Sequence, residues 1–323
     1  MSLEEIITPI RTLWKFDYDS NIEALRDLYE LAKKKQWNAA TDVPWDLEID
    51  REGVGDVLDP GRDRFVQYDF VQALPEDRQK EFAVRRAAWT LSQFLHGEQG
   101  ALLACGQLVE AVPDIDGKLY AATQVVDEAR HVEVFHRYIQ RLDRVYPIEP
   151  SLQAVLNAIL QADLWQMKCV GMQVITESLA MASFKTMKEG TRDRLLREIV
   201  ELTADDEARH VSYGLIYMKE ELPRMAQDDR ERVEDFALGA VRVLATGRAG
   251  AGDGAMSSRA ALYREMGIDF DAAMEEIREK DADPEFHASS PNMLTGYVVP
   301  QMQRVGLVTD RLAPQYRELG FEV

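Results

Sequence analysis

The chain contains little cysteine and no long apolar run. Only two of its 323 residues are cysteines, Cys105 and Cys169, too few for an iron–sulfur cluster that needs four thiolates. Both lie in apolar surroundings of helical pattern, so we expect free buried thiols and a reducing, cytoplasmic setting. No stretch approaches the roughly 20 apolar residues of a membrane-spanning helix, and residues 1–13 lack the pattern of a signal peptide.

Positive charge is also scarce. The chain has 38 Lys and Arg against 57 Asp and Glu, a net charge of −19. A field of this sign repels nucleic acid and anionic membrane surfaces, so neither is expected as a partner. Hydrophobic residues make up 46% of the chain, enough for a large core. Because strand-type alternation persists nowhere, the predicted fold class is all-α.

Apolar residues recur with a helical period along most of the chain. Helices are predicted over 21–36, 75–111, 118–146, 151–188, 192–221, 228–247, 258–266 and 271–280, with a partly helical tail over 291–323. Asp19 and Ser20 are placed to cap the first helix. Asp, Gly and Pro predict a long loop over 37–67, and glycines predict a flexible connector over 248–257. We therefore divide the chain into an N-terminal helix and wrapping loop (1–74), a helical core (75–247) and a C-terminal helical extension (248–323).

One pentapeptide, Asp-Glu-Ala-Arg-His, occurs twice, at 127–131 and at 206–210. Each copy lies within a predicted helix and holds a Glu and a His three residues apart. Residues at this spacing are neighbours on one helix face, so each copy offers a carboxylate and an imidazole to the same point.

A further glutamate precedes each copy by the same distance. Glu98 lies 30 residues before Glu128, and Glu177 lies 30 residues before Glu207. At 1.5 Å per residue, Glu98 lies about 22 Å before the turn near 113–117 and Glu128 about 17 Å after it, so the two come level on antiparallel helices. In the second half, Glu177 and Glu207 come level in the same way. Stacking the two helix pairs would bring six side chains together: Glu98, Glu128, His131, Glu177, Glu207 and His210.

This set is typical of a dinuclear metal site in a helical bundle. Four buried carboxylates require cations, and two divalent metals would neutralise them. Carboxylates with one imidazole per metal suit iron or manganese better than zinc or copper. A lone Glu-x-x-His on a helix is usually a surface pair, but two copies with equal offsets to Glu98 and Glu177 favour the metal site. Asp127 and Asp206, one in each copy, could orient the histidine of the opposite helix. The alternative is that each aspartate only forms a surface ion pair with Arg130 or Arg209.

The duplicated Asp-Glu-x-Arg-His resembles the ferritin-like di-iron oxygenases and oxidases over about residues 75–225. These include monooxygenase hydroxylases, acyl-carrier-protein desaturases, ribonucleotide reductase small subunits, R2-like ligand-binding oxidases and arylamine N-oxygenases. The resemblance implies a ferritin-like four-helix bundle with additional N- and C-terminal helices. It also implies that Asp127 bonds His210 and that Asp206 bonds His131.

Three positions depart from individual branches of this superfamily. Phe135 stands where ribonucleotide reductase small subunits usually place a radical tyrosine. Met181 stands where the hydroxylases place a threonine. Thr203 stands where the arylamine N-oxygenases add a histidine, so a seventh ligand is missing. The resemblance therefore specifies the site more closely than the reaction.

We therefore expect a cytoplasmic, homodimeric enzyme with two Fe, or Mn and Fe, and O₂ as co-substrate. It would hydroxylate, N-oxygenate, desaturate or otherwise oxidise a small or medium organic substrate by two electrons. Since no flavin or iron–sulfur motif is present, electrons would come from an external donor, which could be a redox partner protein. Two alternatives remain: an R2-like Mn/Fe lipid-binding oxidase and a ferritin-like iron-storage protein. The segments beyond the four helices argue against storage.

Overall fold

The computed structural model describes residues 4–51, 54, 64–247, 257–281 and 292–323. Within these ranges the regular structure is helical and contains no β-strand, which confirms the all-α prediction. No helix in the same ranges combines the length and apolarity needed to cross a bilayer. The predicted connector falls almost wholly on 248–256, outside the described residues, as do 52–53 and 55–63 of the predicted loop. The three-part division of the chain stays a prediction.

The described α-helices are α1 (Glu23–Lys34), α2 (Asp69–Gln72), α3 (Glu76–Ala111), α4 (Ile115–Leu142), α5 (Pro150–Gln161), α6 (Trp165–Cys169), α7 (Glu177–Gly190), α8 (Arg194–Glu221), α9 (Gln227–Thr246), α10 (Ser258–Glu265), α11 (Phe270–Asp281), α12 (Val299–Arg304) and α13 (Ala313–Glu318). A π-helical segment, Val170–Thr176, joins α6 to α7, and another, Leu294–Val298, precedes α12. Short 3₁₀ turns lie at Arg64–Gln67 and Leu222–Arg224.

Two helix pairs form the core: α3 packs on α4, and α7 packs on α8. Three residues separate the helices of each pair, 112–114 in the first and 191–193 in the second, and connections this short favour antiparallel neighbours. Asp193 caps α8 by accepting a hydrogen bond from Leu196 N at 2.7 Å. Helix α1 contacts both α4 and α8, which also contact each other. The first helix thus lies across the junction between the pairs.

The four core helices carry two apolar cores with a polar layer between them. On α3, Leu95 belongs to one core and Ala101 to the other, with Glu98 between them. The flanking core residues elsewhere are Ala121 and Val134 on α4, Ile175 and Ala180 around the start of α7, and Val200 and Tyr213 on α8. The polar layer is therefore enclosed by packed carbon on both sides along the bundle axis.

The single helix predicted over 151–188 is wrong, because the chain breaks after Gln161 and resumes helix at Trp165. Lys168 Nζ donates to the carbonyl oxygens of Ile159 and Leu160, at 3.1 and 2.7 Å. It thereby supplies hydrogen bonds to carbonyl groups in the last turn of α5. A Cβ on Gly171 would lie 2.6 Å from Ile159 Cγ1. The absence of a side chain there lets α5 pack directly on the π-helical segment.

The predicted end of the next helix upstream is also wrong: α4 ends at Leu142 rather than near Tyr146. Tyr146 N instead donates to Ser92 Oγ at 3.0 Å. His96 Nε2 lies 2.8 Å from the Tyr146 carbonyl oxygen, within hydrogen-bond distance. These bonds to α3 replace the helical bonds that Tyr146 would otherwise make.

The predicted capping of α1 by Asp19 and Ser20 is likewise wrong, because a residue of α4 does that work. The buried carboxylate of Asp116 accepts hydrogen bonds from Asn21 N and Ile22 N, at 2.8 and 2.9 Å. It also accepts from Ser20 Oγ at 3.1 Å and from Arg26 Nε at 2.8 Å. A long-range partner therefore holds the N-terminus of α1 on the bundle.

Replacing Asp116 with asparagine should lower the free energy of unfolding by about 2–3 kcal/mol, since its bonds are charge-assisted. Burial acts to raise the pKa of Asp116, but hydrogen bonds from Ile22, Asn21, Arg26 and Ser20 outweigh it and lower the pKa. The contribution is therefore fully present above about pH 4 and is lost as pH falls towards the folded-state pKa.

Urea unfolding of the wild type and of Asp116→Asn between pH 3 and 7 would measure this effect. The matched control is Asp27→Asn, which removes the same charge from an exposed position of α1. An equal loss of stability in both variants would contradict the capping role.

Candidate metal centre

The six side chains singled out in the sequence lie together in the polar layer. They are Glu98 on α3, Glu128 and His131 on α4, Glu177 at the start of α7, and Glu207 and His210 on α8, and all six are buried. Their ligand atoms form two groups, each with all members within 4.8 Å of one another: Glu98, Glu128, His131 and Glu207, and Glu128, Glu177 and His210. Glu128 belongs to both groups.

Both histidines present Nδ1 to the carboxylates. His131 Nδ1 lies 3.1 Å from Glu98 Oε2 and 3.2 Å from Glu207 Oε1. His210 Nδ1 lies 3.0 Å from Glu207 Oε2 and 3.2 Å from Glu128 Oε1. The two rings come from facing helices and their centroids are 5.9 Å apart. Each half of the duplicated sequence thus contributes one imidazole to the same cluster.

The other imidazole nitrogen of each histidine faces an aspartate of the opposite helix. Asp206 Oδ2 lies 3.2 Å from His131 Nε2, and Asp127 Oδ2 lies 3.3 Å from His210 Nε2. Both aspartates are buried. Such contacts fix the ring orientation and the position of the proton.

Two arginines connect these aspartates. Arg130 Nη2 donates to Asp127 Oδ1 at 2.5 Å and to Asp206 Oδ2 at 3.1 Å. Arg209 pairs with Asp206 and also reaches Asp127 Oδ2 at 3.4 Å. All four side chains are buried. We call Asp127, Asp206, Arg130 and Arg209 the Asp–Arg layer; the surface pairing considered as the alternative is excluded.

Two residues that follow α1, Gln36 and Trp37, complete this layer and were not predicted from the sequence. Trp37 Nε1 donates to Asp206 Oδ2 at 2.8 Å, and its ring lies 6.4 Å from the His131 ring. Gln36 Nε2 donates to Asp127 Oδ1 at 3.0 Å, and Gln36 Oε1 accepts from Arg130. Gln36 was predicted as the last residue of a helix, and Trp37 as the first residue of a loop. No local pattern in the sequence marks contacts between residues so far apart in the chain.

A third missed residue, Gln124, contacts the cluster directly. Its buried Nε2 donates to Glu128 Oε1 at 3.0 Å and to Glu177 Oε1 at 3.2 Å. The amide therefore holds carboxylates of both helix pairs together. A signal was available, because Gln124 lies four residues before Glu128 and hence on the same face of α4.

The charge and the open acceptor atoms of the cluster fit two divalent metal ions. The two arginines balance the two aspartates of the Asp–Arg layer, which leaves the charge of four buried carboxylates to be neutralised. Apart from the nearby His131 Nδ1, Glu128 Oε2 and Glu207 Oε1 have no hydrogen-bond donor among the described residues. Buried oxygens of this kind are typical of positions that an ion serves. Carboxylate oxygens with one imidazole nitrogen per metal suit iron or manganese.

Burial and the charges within the cluster shift the pKa values of its members. Burial raises the pKa of Glu98 and of Glu177, and the negative charge of Glu207 raises both further. Burial lowers the pKa of His210, but the charges of Glu207 and Glu128 outweigh it and raise the pKa to about 10. These groups must release protons before they can ligate a metal.

A π-helical segment directly precedes Glu177, and Thr176 Oγ1 within it donates to the Gly171 carbonyl oxygen at 2.8 Å. Such π-bulges are frequent at functional sites. Next to it, a cavity of about 340 Å³ lies between α3 and α7 and is lined by Glu98, Thr176 and Glu177. A larger surface cavity, about 620 Å³, is bounded by residues such as Arg51 and contains none of the six cluster residues.

Sequence comparison relates the chain to two mycobacterial proteins. Uncharacterized protein Rv0885 of Mycobacterium tuberculosis is 22% identical over 224 residues, which cover 65% of this chain and 64% of that protein. Uncharacterized protein Mb0909 of Mycobacterium bovis shows the same identity and coverage. The match thus spans less than two thirds of the length of these relatives.

Structure comparison relates the fold to R2-like ligand-binding oxidases. The enzyme with an aerobically reconstituted Mn/Fe cofactor (long soak) matches with a TM-score of 0.50 at 17% identity, covering 91% of this chain and 94% of that one. A point variant of it matches with a TM-score of 0.51 at 16% identity, covering 91% and 96%. At this identity the likeness shows the fold alone, and it confirms the predicted ferritin-like architecture.

The family comparison covers most of the chain. The sequence pattern of the p-aminobenzoate N-oxygenase AurF family matches residues 19–294, from just before α1 to the π-helical segment ahead of α12. The match includes all six cluster residues, the Asp–Arg layer, Gln36 and Trp37. The predicted superfamily is thereby confirmed, and the chain belongs to the p-aminobenzoate N-oxygenase AurF family.

Proposed function

We propose that this protein is an O₂-dependent oxygenase that oxidises the nitrogen of an amine at a dinuclear iron site. The observation that carries the proposal is the pair of metal-binding groups that share Glu128, with a cavity opening on Glu98 and Glu177. The family, named for an N-oxygenase, supports the choice of nitrogen as the oxidised atom. The proposed ligands are Glu98, Glu128, His131, Glu177, Glu207 and His210.

Each group of residues has a distinct task in this proposal. Bound iron supplies the binding and reduction of O₂. The carboxylates offset its charge, and each histidine ligates through Nδ1. Asp206 and Asp127 would accept hydrogen bonds from Nε2–H of His131 and His210, which keeps the proton on Nε2 and leaves Nδ1 unprotonated for the metal. The two apolar cores keep bulk water away from the reacting atoms.

The proposed reaction balances with an external two-electron donor. An amine, O₂, two electrons and two protons give a hydroxylamine and water. The O–O bond breaks, one oxygen atom forms the new bond to nitrogen, and the other leaves as water. The two cysteines of the chain are too few for an iron–sulfur cluster that needs four thiolates. A redox partner protein or a small reductant is therefore the proposed donor.

The proposal predicts oxygen transfer from O₂ to an amine. Protein loaded anaerobically with Fe(II) and mixed with ¹⁸O₂, a reductant and a panel of arylamines should yield hydroxylamines carrying one ¹⁸O, as measured by mass spectrometry. The metal-free protein is the control. Oxidation of the amines without label incorporation, or mineralisation of many irons per chain, would contradict the proposal.

The R2-like Mn/Fe lipid-binding oxidase stays the second enzymatic candidate, since the same residues suit manganese and iron. Loading with Mn and Fe in the same assay separates the two. We also infer a reducing, cytoplasmic setting, which the free buried thiols of Cys105 and Cys169 support. A homodimer stays a prediction from the sequence.

A further inference from the structure

The cavity beside the metal centre ends on the carboxylates of α3 and α7. Glu98 and Glu177 line it. On the far side of the cluster, His131 Nε2 faces Asp206, which Trp37 covers through its own hydrogen bond. A molecule in the cavity therefore meets the cluster at Glu98 and Glu177, and no residue of the Asp–Arg layer lines the cavity. At about 340 Å³, the cavity lies at the lower end of the range for small-molecule sites.

Gly97 leaves room for a ligand immediately beside Glu98. It lines the cavity, and a Cβ built on it meets no atom within 4 Å. The space over Gly97 is thus open cavity rather than packed protein, although glycine is unfavourable within a helix as long as α3. Gly106, farther along the same helix, also has an open Cβ position but lies outside this cavity.

The charge of the cavity wall has one sign. The charged side chains that line it are Glu98, Glu149 and Glu177, and no Lys, Arg or His occurs among its described lining residues. Glu149 is already bonded by Ser257 Oγ at 2.5 Å and by Ser258 Oγ at 2.7 Å. The rest of the wall is mostly apolar. It offers carbon surface and acidic oxygens, but no cation.

Arg259 is a cation close to the cavity wall. Arg259 stacks on Trp89, with its guanidinium carbon 5.9 Å from the ring centroid, but does not line the cavity. A carboxylate inside the cavity would therefore lose its hydration without gaining a cationic side chain among the described lining residues.

We propose that the cavity binds an uncharged arylamine, its ring over Gly97 and its amino group towards Glu98 and Glu177, and excludes arylamines that carry a carboxylate. The apolar wall, which includes Trp89 and Phe94, favours an aromatic ring. An alkylamine is protonated near neutral pH and lacks the lone pair that N-oxygenation requires, whereas an arylamine is neutral. This inference rests on the proposed N-oxygenation and names its substrate class.

The test compares 4-aminobenzamide with 4-aminobenzoate, which share the ring and the amine but differ in charge. Anaerobic calorimetric titration of the Fe(II)-loaded protein should show the amide binding at least about 10-fold more tightly. Gly97→Leu should weaken amide binding at least about 10-fold, with iron still at two per chain. Gly106→Leu, the matched control on α3, should bind the amide like the wild type. If Gly97→Leu does not fold, Gly97→Ala should weaken amide binding about threefold.

Equal or tighter binding of 4-aminobenzoate would overturn the inference, as would equal effects of the Gly97 and Gly106 variants. So would a loss of 4-aminobenzoate binding in Arg259→Gln that exceeds the loss of amide binding. The proposed function fails separately. If the amide binds over Gly97 but yields no hydroxylamine, N-oxygenation is wrong and the binding site stands. If 4-aminobenzoate is N-oxygenated in preference, the charge selectivity is wrong and the reaction stands.

Discussion

Replacing Glu128 with glutamine is expected to leave fewer than one metal ion per chain and to abolish O₂-dependent turnover. Glu128 is fully buried and is the residue shared by the two groups of candidate metal ligands. Glutamine keeps the shape of the side chain but removes a negative charge and replaces one acceptor oxygen with a donor. The change therefore weakens both proposed metal positions at once. Iron content by mass spectrometry after anaerobic loading and desalting measures the effect.

The matched control is Glu133→Gln, which makes the same chemical change at an exposed position of α4. It should keep two ions per chain and wild-type turnover. Retention of two ions and full turnover in Glu128→Gln would show that the carboxylate does not hold metal.

Replacing Asp206 with asparagine should have a different outcome: most of the metal stays, while activity falls about 10- to 100-fold. Asp206 contacts His131 at 3.2 Å and Trp37 at 2.8 Å, and pairs with Arg130 at 3.1 Å, but lies in neither group of candidate metal ligands. Its loss would release the His131 ring from its fixed orientation. It would also leave buried arginine charge unbalanced, lowering the free energy of unfolding by about 3–5 kcal/mol.

Iron content, turnover and urea unfolding measured on one preparation separate these effects. Asp205→Asn, at the exposed neighbouring position, is the control and should match the wild type in all three. Metal loss as severe as in Glu128→Gln would count against a positioning role for Asp206 and make it a ligand.

The sequence predicted the candidate site well because helix geometry is local. The spacing of Glu128 and His131 fixes a shared face. The offset of 30 residues brings Glu98 level with Glu128, and Glu177 level with Glu207, on antiparallel helices. The structure places all six side chains in one buried cluster. Whether they bind metal stays a proposal, whereas the ferritin-like di-iron superfamily that they indicated is confirmed.

What the sequence did not reveal depends on contacts between distant segments. Trp37 meets Asp206 across 169 positions of the chain, and no periodicity reports such a pair. The break after Gln161 depends on Lys168 reaching back to the end of α5. Asp116 replaces the expected caps of α1 for the same reason, because the backbone N–H groups of Asn21 and Ile22 donate to its carboxylate on another helix. Propensity is overridden by tertiary partners at each of these places.

Diffraction at the iron absorption edge, from crystals of the Fe(II)-loaded protein, would locate the metal ions of the proposed dinuclear centre. Two anomalous peaks per chain are expected in the polar layer. One should lie among Glu98, Glu128, His131 and Glu207, and the other among Glu128, Glu177 and His210. A single peak, or iron bound only outside this layer, would contradict a dinuclear centre built from the duplicated Asp-Glu-Ala-Arg-His.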